Sequence, residues 1–369
     1  MVFFKKPPNV DAAGEGQINI PLWWPIIFLQ KISPQAPEQV VEIILGLDKT
    51  DNPRIMREVF SIACDLTDVG LSLRLKPWIM RFLQSSYRWG EDELIVKIIQ
   101  KWGRYSEQAL TAALEITQYV VAFQPDPKEE EKRSCHKGNP EAWNTNLDPA
   151  PRFDQWAYQQ ILEKGVRPLA ANEPDKVVGI LIKATNKMIL MRVHTDDLDN
   201  VRDEDYSEIW CQRLDKLDRE HQDVEETLIH ALTFACEQVF EKASESIDEL
   251  NQALRSQRWK LFKRLRHYLY GMYPNDQTLP WIRECILGHK DYSKWEYHYE
   301  FQLMIRKASE HFGTRLLSNA ELTAIFDDII SGPSKEEFRK WMGERYNDDA
   351  FQQRSAISTA CNCDLLQHC

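Results

Sequence analysis

Leu22-Trp-Trp-Pro-Ile-Ile-Phe-Leu-Gln-Lys-Ile-Ser-Pro34, followed two residues later by Pro37-Glu-Gln-Val-Val-Glu-Ile-Ile-Leu-Gly-Leu47, is the stretch whose reading decides the fold. It spells two short apolar helices around a proline-marked corner. Pro25 falls in a first turn, where a missing N–H costs little, and Pro37-Glu38 suits a first position at the positive end of the helix dipole. Neither helix buries its hydrophobic face alone. Such units gain stability by stacking on similar ones, so the expected fold is all-α, an α-solenoid of antiparallel helix pairs of the HEAT/ARM kind.

The same grammar continues outward. Asp51-Asn52-Pro53 offers a turn and an N-cap for a helix over 53–66, with Ile55, Val59, Ile62, Ala63 and Leu66 forming one apolar stripe. The spacing predicts further helices at 72–86, 91–103 and 106–122. From 124 to 152 the periodicity stops in a polar, proline-marked run, read as a flexible linker or loop. Beyond it, helices are expected at 153–165, 174–192, 206–216, 221–243, 246–257, 258–272, 278–288, 295–313, 318–331 and 334–345. Two echoes support repetition. Pro174-Asp-Lys-Val-Val-Gly-Ile-Leu-Ile182 parallels Pro37-Glu-Gln-Val-Val-Glu-Ile-Ile-Leu45, and Pro280-Trp-Ile282 parallels Pro77-Trp-Ile79. The expected organisation is an irregular lead-in (1–21), an N-terminal helical arm (22–123), the linker, a C-terminal helical array (153–345) and a ragged tail (346–369).

Composition narrows the class. The 369 residues carry a net charge of −11, so the whole surface is not built to coat nucleic acid or anionic lipid. No run nears the roughly 20 apolar residues that span a bilayer. Met1-Val-Phe-Phe-Lys-Lys-Pro-Pro8 has its charges after the apolar pair and no following h-region, and a cytoplasmic location is expected. Eight cysteines without regular spacing fit reduced thiols, with Cys64, Cys211, Cys236 and Cys285 packed as small apolar residues in helices.

One segment departs from the acidic background. Between Arg255 and Leu269 six Lys/Arg residues occur without an acid. Lys260, Lys263, Arg264 and His267 share one side of a helix, and Trp259, Phe262, Leu265 and Leu269 take the other. With Arg255 and Arg258 they form a candidate partner-binding site for an acidic protein or for phosphate groups. The same pattern fits a basic face paired with neighbouring acidic helices or with the acidic 196–208 loop.

Other motifs carry little chemistry. Cys361, Cys363, His368 and Cys369, with Cys135 and His136, are soft-metal ligand types, but the spacing is not that of a zinc knuckle. Trp295 to Phe301 mixes aromatics with Glu296, His298 and Glu300. The two carboxylates share a face that His298 leaves, which reads as core aromatics with solvated or capping acids. Gly14-Glu-Gly16 lacks the remaining parts of a phosphate loop. No enzyme, cofactor or metal site is therefore expected.

The opening Trp-Trp-Pro…Phe-Leu…Pro-Glu-Gln-Val-Val-Glu-Ile-Ile…Thr50-Asp51-Asn52, with Tyr299-Glu-Phe301, Phe312 and Ile329-Ile-Ser-Gly-Pro333, resembles the divergent HEAT-like repeats of large bacterial multidomain proteins. There the array accompanies an NTPase of the STAND type or an effector domain, often in anti-phage defence. The resemblance, over 22–122 and 153–333, implies a scaffold or sensor and no catalytic role, since no NTPase core is present. The expected function is thus a non-enzymatic scaffold binding a protein partner. The alternative is a nucleic-acid-contacting module that uses 255–267.

Overall fold

The computed structural model describes residues 6–12, 18–85, 90–125, 149–192, 205–215, 223–288 and 298–331. These are mostly helical with little strand, consistent with the expected all-α class. The strands among them are two short antiparallel pairs, Asp11–Ala12 with Ile18–Asn19 and Phe123–Pro125 with Pro149–Pro151. No helix among the described residues is long and apolar enough to cross a membrane.

The chain divides into two compact units, residues 1–194 with 222–239, and residues 195–221 with 240–369. This division does not fall at 124–152. The pairing of Phe123–Pro125 with Pro149–Pro151 brings the ends of that segment together. The helix Asp92–Trp102 then packs on the turn Ile161–Val166 within the first unit. The middle of the segment, 126–148, lies outside the described residues.

In the first unit the proline-marked boundaries set the helices. Trp24–Ile32 carries Pro25 in its first turn, Pro37–Leu45 begins on its proline, and Asn52 caps Pro53–Asp65 by accepting the Arg54 N–H at 3.0 Å. The predicted stripe Ile55, Val59, Ile62, Ala63 and Leu66 is buried in full. The expected single helix over 72–86 is instead two, Val69–Arg74 and Lys76–Gln84, which meet at Leu75. Pro77 explains the break, because its nitrogen has no proton to continue the ladder from the preceding turn. Phe82 meets Phe60 edge-on with ring centroids 6.0 Å apart.

Polar stitches close this core. Lys101 Nζ donates to the carbonyls of Ala63 (2.9 Å), Cys64 (3.3 Å) and Leu66, so a cation terminates the Pro53–Asp65 helix at its negative end. Ser72 Oγ donates to Ala63 O at 2.6 Å and accepts the Trp102 indole N–H at 3.0 Å. Gln155–Gln160 and Arg167–Asn172 flank Ile161–Val166, which is π-helical where a single α-helix over 153–165 was expected. Pro174–Arg192 matches its expected span, and Val224–Lys242 contributes to this unit through Val239.

The second unit is built around Lys260–Met272 and His298–Phe312. They cross closely at Gly271, where an added Cβ would stand 2.9 Å from the Met304 Cα. Tyr270, Ile282, Ile286, Phe301, Met304, Ile305, Ala308 and Phe312 form one buried cluster there. Ile247–Arg255, Leu279–Leu287 and Asn319–Ser331 complete the helices. The helix expected over 206–216 is only a short 3-10 turn, Ser207–Ile209, and Cys211 lies after it in irregular chain. The helix expected at 334–345 and the 346–369 tail lie outside the described residues.

Candidate functional site

The basic segment was the leading candidate, and the second unit places each of its residues. Trp259 is the N-cap residue of Lys260–Met272 but supplies no side-chain cap. The cap comes from a distant segment. Asp205 Oδ2 accepts the Lys260 N–H at 2.7 Å, and Ser207 Oγ accepts the Leu261 N–H at 3.2 Å. A carboxylate at the positive end of a helix is stabilised by the dipole and by the free N–H groups there.

Arg264 is 3% exposed and makes a hub beneath that cap. Its Nε donates to Glu300 Oε2 at 2.9 Å, and Nη2 donates to Glu300 Oε1 at 2.5 Å. Nη1 donates to the carbonyls of Glu208 and Cys211, the latter at 2.8 Å, and Nη2 also reaches Gln212 O at 3.2 Å. One guanidinium thereby fastens the 208–212 backbone to two helices, using the planar donor fork that lysine lacks. Lys260 Nζ pairs with Glu208 at 3.1 Å, and burial pushes the Glu208 carboxyl up from the ordinary carboxylate range.

His267 is 1% exposed and lies against Phe301, with ring centroids 5.2 Å apart. Arg255 pairs with Glu284 through both nitrogens, at 2.7 and 2.6 Å. Arg258 lies over the Trp259 ring at 4.3 Å, and Lys263 is half-buried. The six residues therefore do not share a solvent-facing side. The side expected to be solvated is covered at Arg264 and His267 by the 205–212 chain and the His298–Phe312 helix. Glu300, expected at the surface or in a cap, is 1% exposed because Arg264 holds it inside. Asp205 and Glu208 come from the acidic stretch that the sequence offered as a neighbour for the basic face.

A second clamp lies beside the hub. Arg213 donates to both oxygens of Asp215, at 2.8 and 2.5 Å, and its guanidinium lies 4.1 Å from the Tyr299 ring centre. Tyr299 Oη donates to Asp215 Oδ2 at 2.8 Å. These hydrogen bonds hold the Asp215 carboxyl below its ordinary range, with Arg213 the larger influence. Chemically both clusters are closed ion pairs. Their donors are aimed at acceptors within the fold.

The first unit offers a different kind of surface. Along Trp24–Ile32, Ile26 and Leu29 are buried, whereas Trp24 is 71% and Phe28 54% exposed. These two stand one turn apart on the same outer side, with Leu22 at 47% just before them. The sequence reading expects this helix to bury its apolar face by stacking and singles out no outer side. The signal was present, because a nine-residue helix with apolar residues at 24, 26, 27, 28 and 29 is apolar on more than one face.

His230, in the same unit, is 7% exposed and lies 3.5 Å from Glu226. Burial, with the Arg167 charge second, pushes its pKa down to about 4. Cys64 is pushed up to about 12, mainly by burial, and burial likewise raises Cys236 and Cys285. These three and Cys211 are free thiols. Cys135, His136, the Cys361–Cys369 ligand types, Gly14, Gly16 and the Trp295–Tyr297 aromatics lie outside the described residues.

No protein-family model, curated protein or solved structure matches this chain.

Proposed function

We propose that this protein is a non-enzymatic interaction scaffold that binds a protein partner through the outer side of its first helix. The observation that carries this reading is the exposure of Trp24 and Phe28 one turn apart, beside Leu22. Large aromatics left in water at the start of a helical array lose the benefit of burial. End helices of such arrays need polar outer sides to remain soluble, unless something covers them. Tryptophan and other aromatics are also the residues that dominate binding energy at protein interfaces.

The architecture in this reading is an α-solenoid of HEAT-like antiparallel helix pairs. Its support is the recurrence of the same helix openings. Pro37 and Pro174 each begin a helix, and Pro77 and Pro280 each occupy the first turn of a nine-residue helix with Ile79 or Ile282 buried two residues later. The resemblance to arrays of bacterial defence proteins adds a sensor role within a larger assembly. The free thiols, with Cys211 and Cys236 buried, support a reducing compartment such as the cytoplasm.

The test is affinity capture with the wild-type chain and with Trp24→Ser/Phe28→Ser, in nuclease-treated lysate of the source organism. The reading expects a protein retained by the wild type and lost by the double variant at equal folded protein. Equal capture by both would remove the first helix as the contact.

A further inference from the structure

We propose that the first unit carries a second site, a cleft of about 600 Å³ that binds a ligand carboxylate, with Arg81 as its anchor. The cleft is lined by Asn9, Lys49, Asp51, Arg81, Gln84 and Ser85 around the buried floor of Thr50 and Met56. None of the Trp24 face lines it, so the two sites are chemically separate.

Arg81 sits in the last turn of Lys76–Gln84 with its guanidinium over the Trp78 ring, 5.2 Å from the centre. Stacking holds the fork in place without using its in-plane N–H donors. Nη1 is shielded from solvent and has no acceptor in the protein. Nη1 is thus out of a ligand's direct reach, but Arg81 lines the cleft, and an oxyanion there matches the planar donor fork of a guanidinium.

The facing wall is rigid for independent reasons. Thr50 Oγ1 donates to Pro8 O at 2.8 Å, the Val10 N–H donates to Asp51 Oδ1 at 2.9 Å, and the Asp51 N–H donates to Asn9 Oδ1 at 3.4 Å. Asn9 therefore spends its acceptor end on the backbone, which leaves its amide N–H2 as the end available to a ligand. The donors of the cleft are Arg81, Asn9 and the exposed Lys49. Lys49 and Arg81 against Asp51 leave one net positive charge, which a monoanion such as a carboxylate neutralises.

The source of the carboxylate is either a small free acid or a peptide C-terminus, and one titration separates them. The Arg81 Nε–Hε resonance, assigned with Arg81→Lys, is followed by NMR at constant ionic strength. The additions are acetate, inorganic phosphate at pH 8, a tripeptide with a free C-terminus and the same peptide amidated. The expected result is saturable movement with acetate or the free peptide, with a midpoint on the order of millimolar. Lys49→Gln, a change at an exposed residue, should weaken it by about threefold or more. A free peptide that saturates well below acetate, with its amide inert, assigns the site to a C-terminus. Equal midpoints for acetate and peptide assign it to small acids. No saturable movement with either, or an unchanged midpoint in Lys49→Gln, would overturn the proposal, as would tighter binding of phosphate than of acetate.

Discussion

Arg264 and Glu300 face each other as a two-pronged ion pair inside the second unit, with 2.9 Å from Nε to Oε2 and 2.5 Å from Nη2 to Oε1. Both are almost fully buried, so neither charge has water to fall back on. Removing one partner strands the other. Glu300→Ala and Arg264→Met should each destabilise the protein by about 3–5 kcal/mol, whereas Arg264→Met/Glu300→Leu should recover much of that loss. Urea denaturation of the three variants checks this. Additive losses in the double variant would contradict a coupled pair.

Gly271 exists for a neighbour's backbone. An alanine there would place its Cβ 2.9 Å from Met304 Cα and 3.0 Å from Met304 N, and backbone cannot rotate away. Gly271→Ala should cost about 1–3 kcal/mol by forcing the two helices apart. Gly179, inside Pro174–Arg192, has open space where its Cβ would be. Gly179→Ala should therefore stabilise the protein by about 0.5–1 kcal/mol. Thermal denaturation of the two variants should move the midpoint in opposite directions.

His230 makes stability depend on pH in a defined window. Its folded pKa is about 4, below the ordinary 6.5, because of burial and, second, the Arg167 charge. Between pH 6.5 and 4 the unfolded chain takes up a proton that the folded chain refuses. Stability is therefore lost as pH falls through that window, by up to about 3 kcal/mol, and is unaffected by this group above it. His230→Gln should flatten that part of the stability–pH curve measured by urea denaturation. A curve of unchanged slope would contradict the assignment.

Cys64, Cys211, Cys236 and Cys285 should resist alkylation in the folded protein. Burial raises the pKa of Cys64 to about 12 and raises Cys236 and Cys285, and Cys211 and Cys236 are buried. Thiolate is the reactive form, and it is scarce at neutral pH for such groups. Peptide mapping after iodoacetamide, with and without denaturant, should find these four modified only on unfolding.

Much of the first unit was legible because prolines and caps write helix starts into the sequence locally. Pro25, Pro37, Asn52-Pro53 and Ser106 all mark observed starts, and the 53–66 stripe is the observed core face. The break at Leu75 was missed although Pro77 announced it, because the apolar stripe runs on across the junction. The site residues were harder for a physical reason. A basic helix face and an exposed acidic loop look alike in sequence whether they meet solvent or one another. The contacts that decide it, such as Asp205 to Lys260 and Glu300 to Arg264, join residues 55 and 36 positions apart. Arg81 over Trp78 is local to one helix, but the cleft that Arg81 lines with Asn9 carried no sequence signal, since it depends on the lead-in folding back onto 50–51.

The most direct test of the central claim is quantitative affinity capture with Trp24→Ser/Phe28→Ser against the wild type, after nuclease treatment and after circular dichroism confirms equal helix content. A protein partner that survives nuclease and falls at least about tenfold in the double variant is the predicted result, since aromatic hot spots each carry about 2 kcal/mol or more. Undiminished capture by the variant, or material that disappears with nuclease, would contradict a protein-binding face on the first helix.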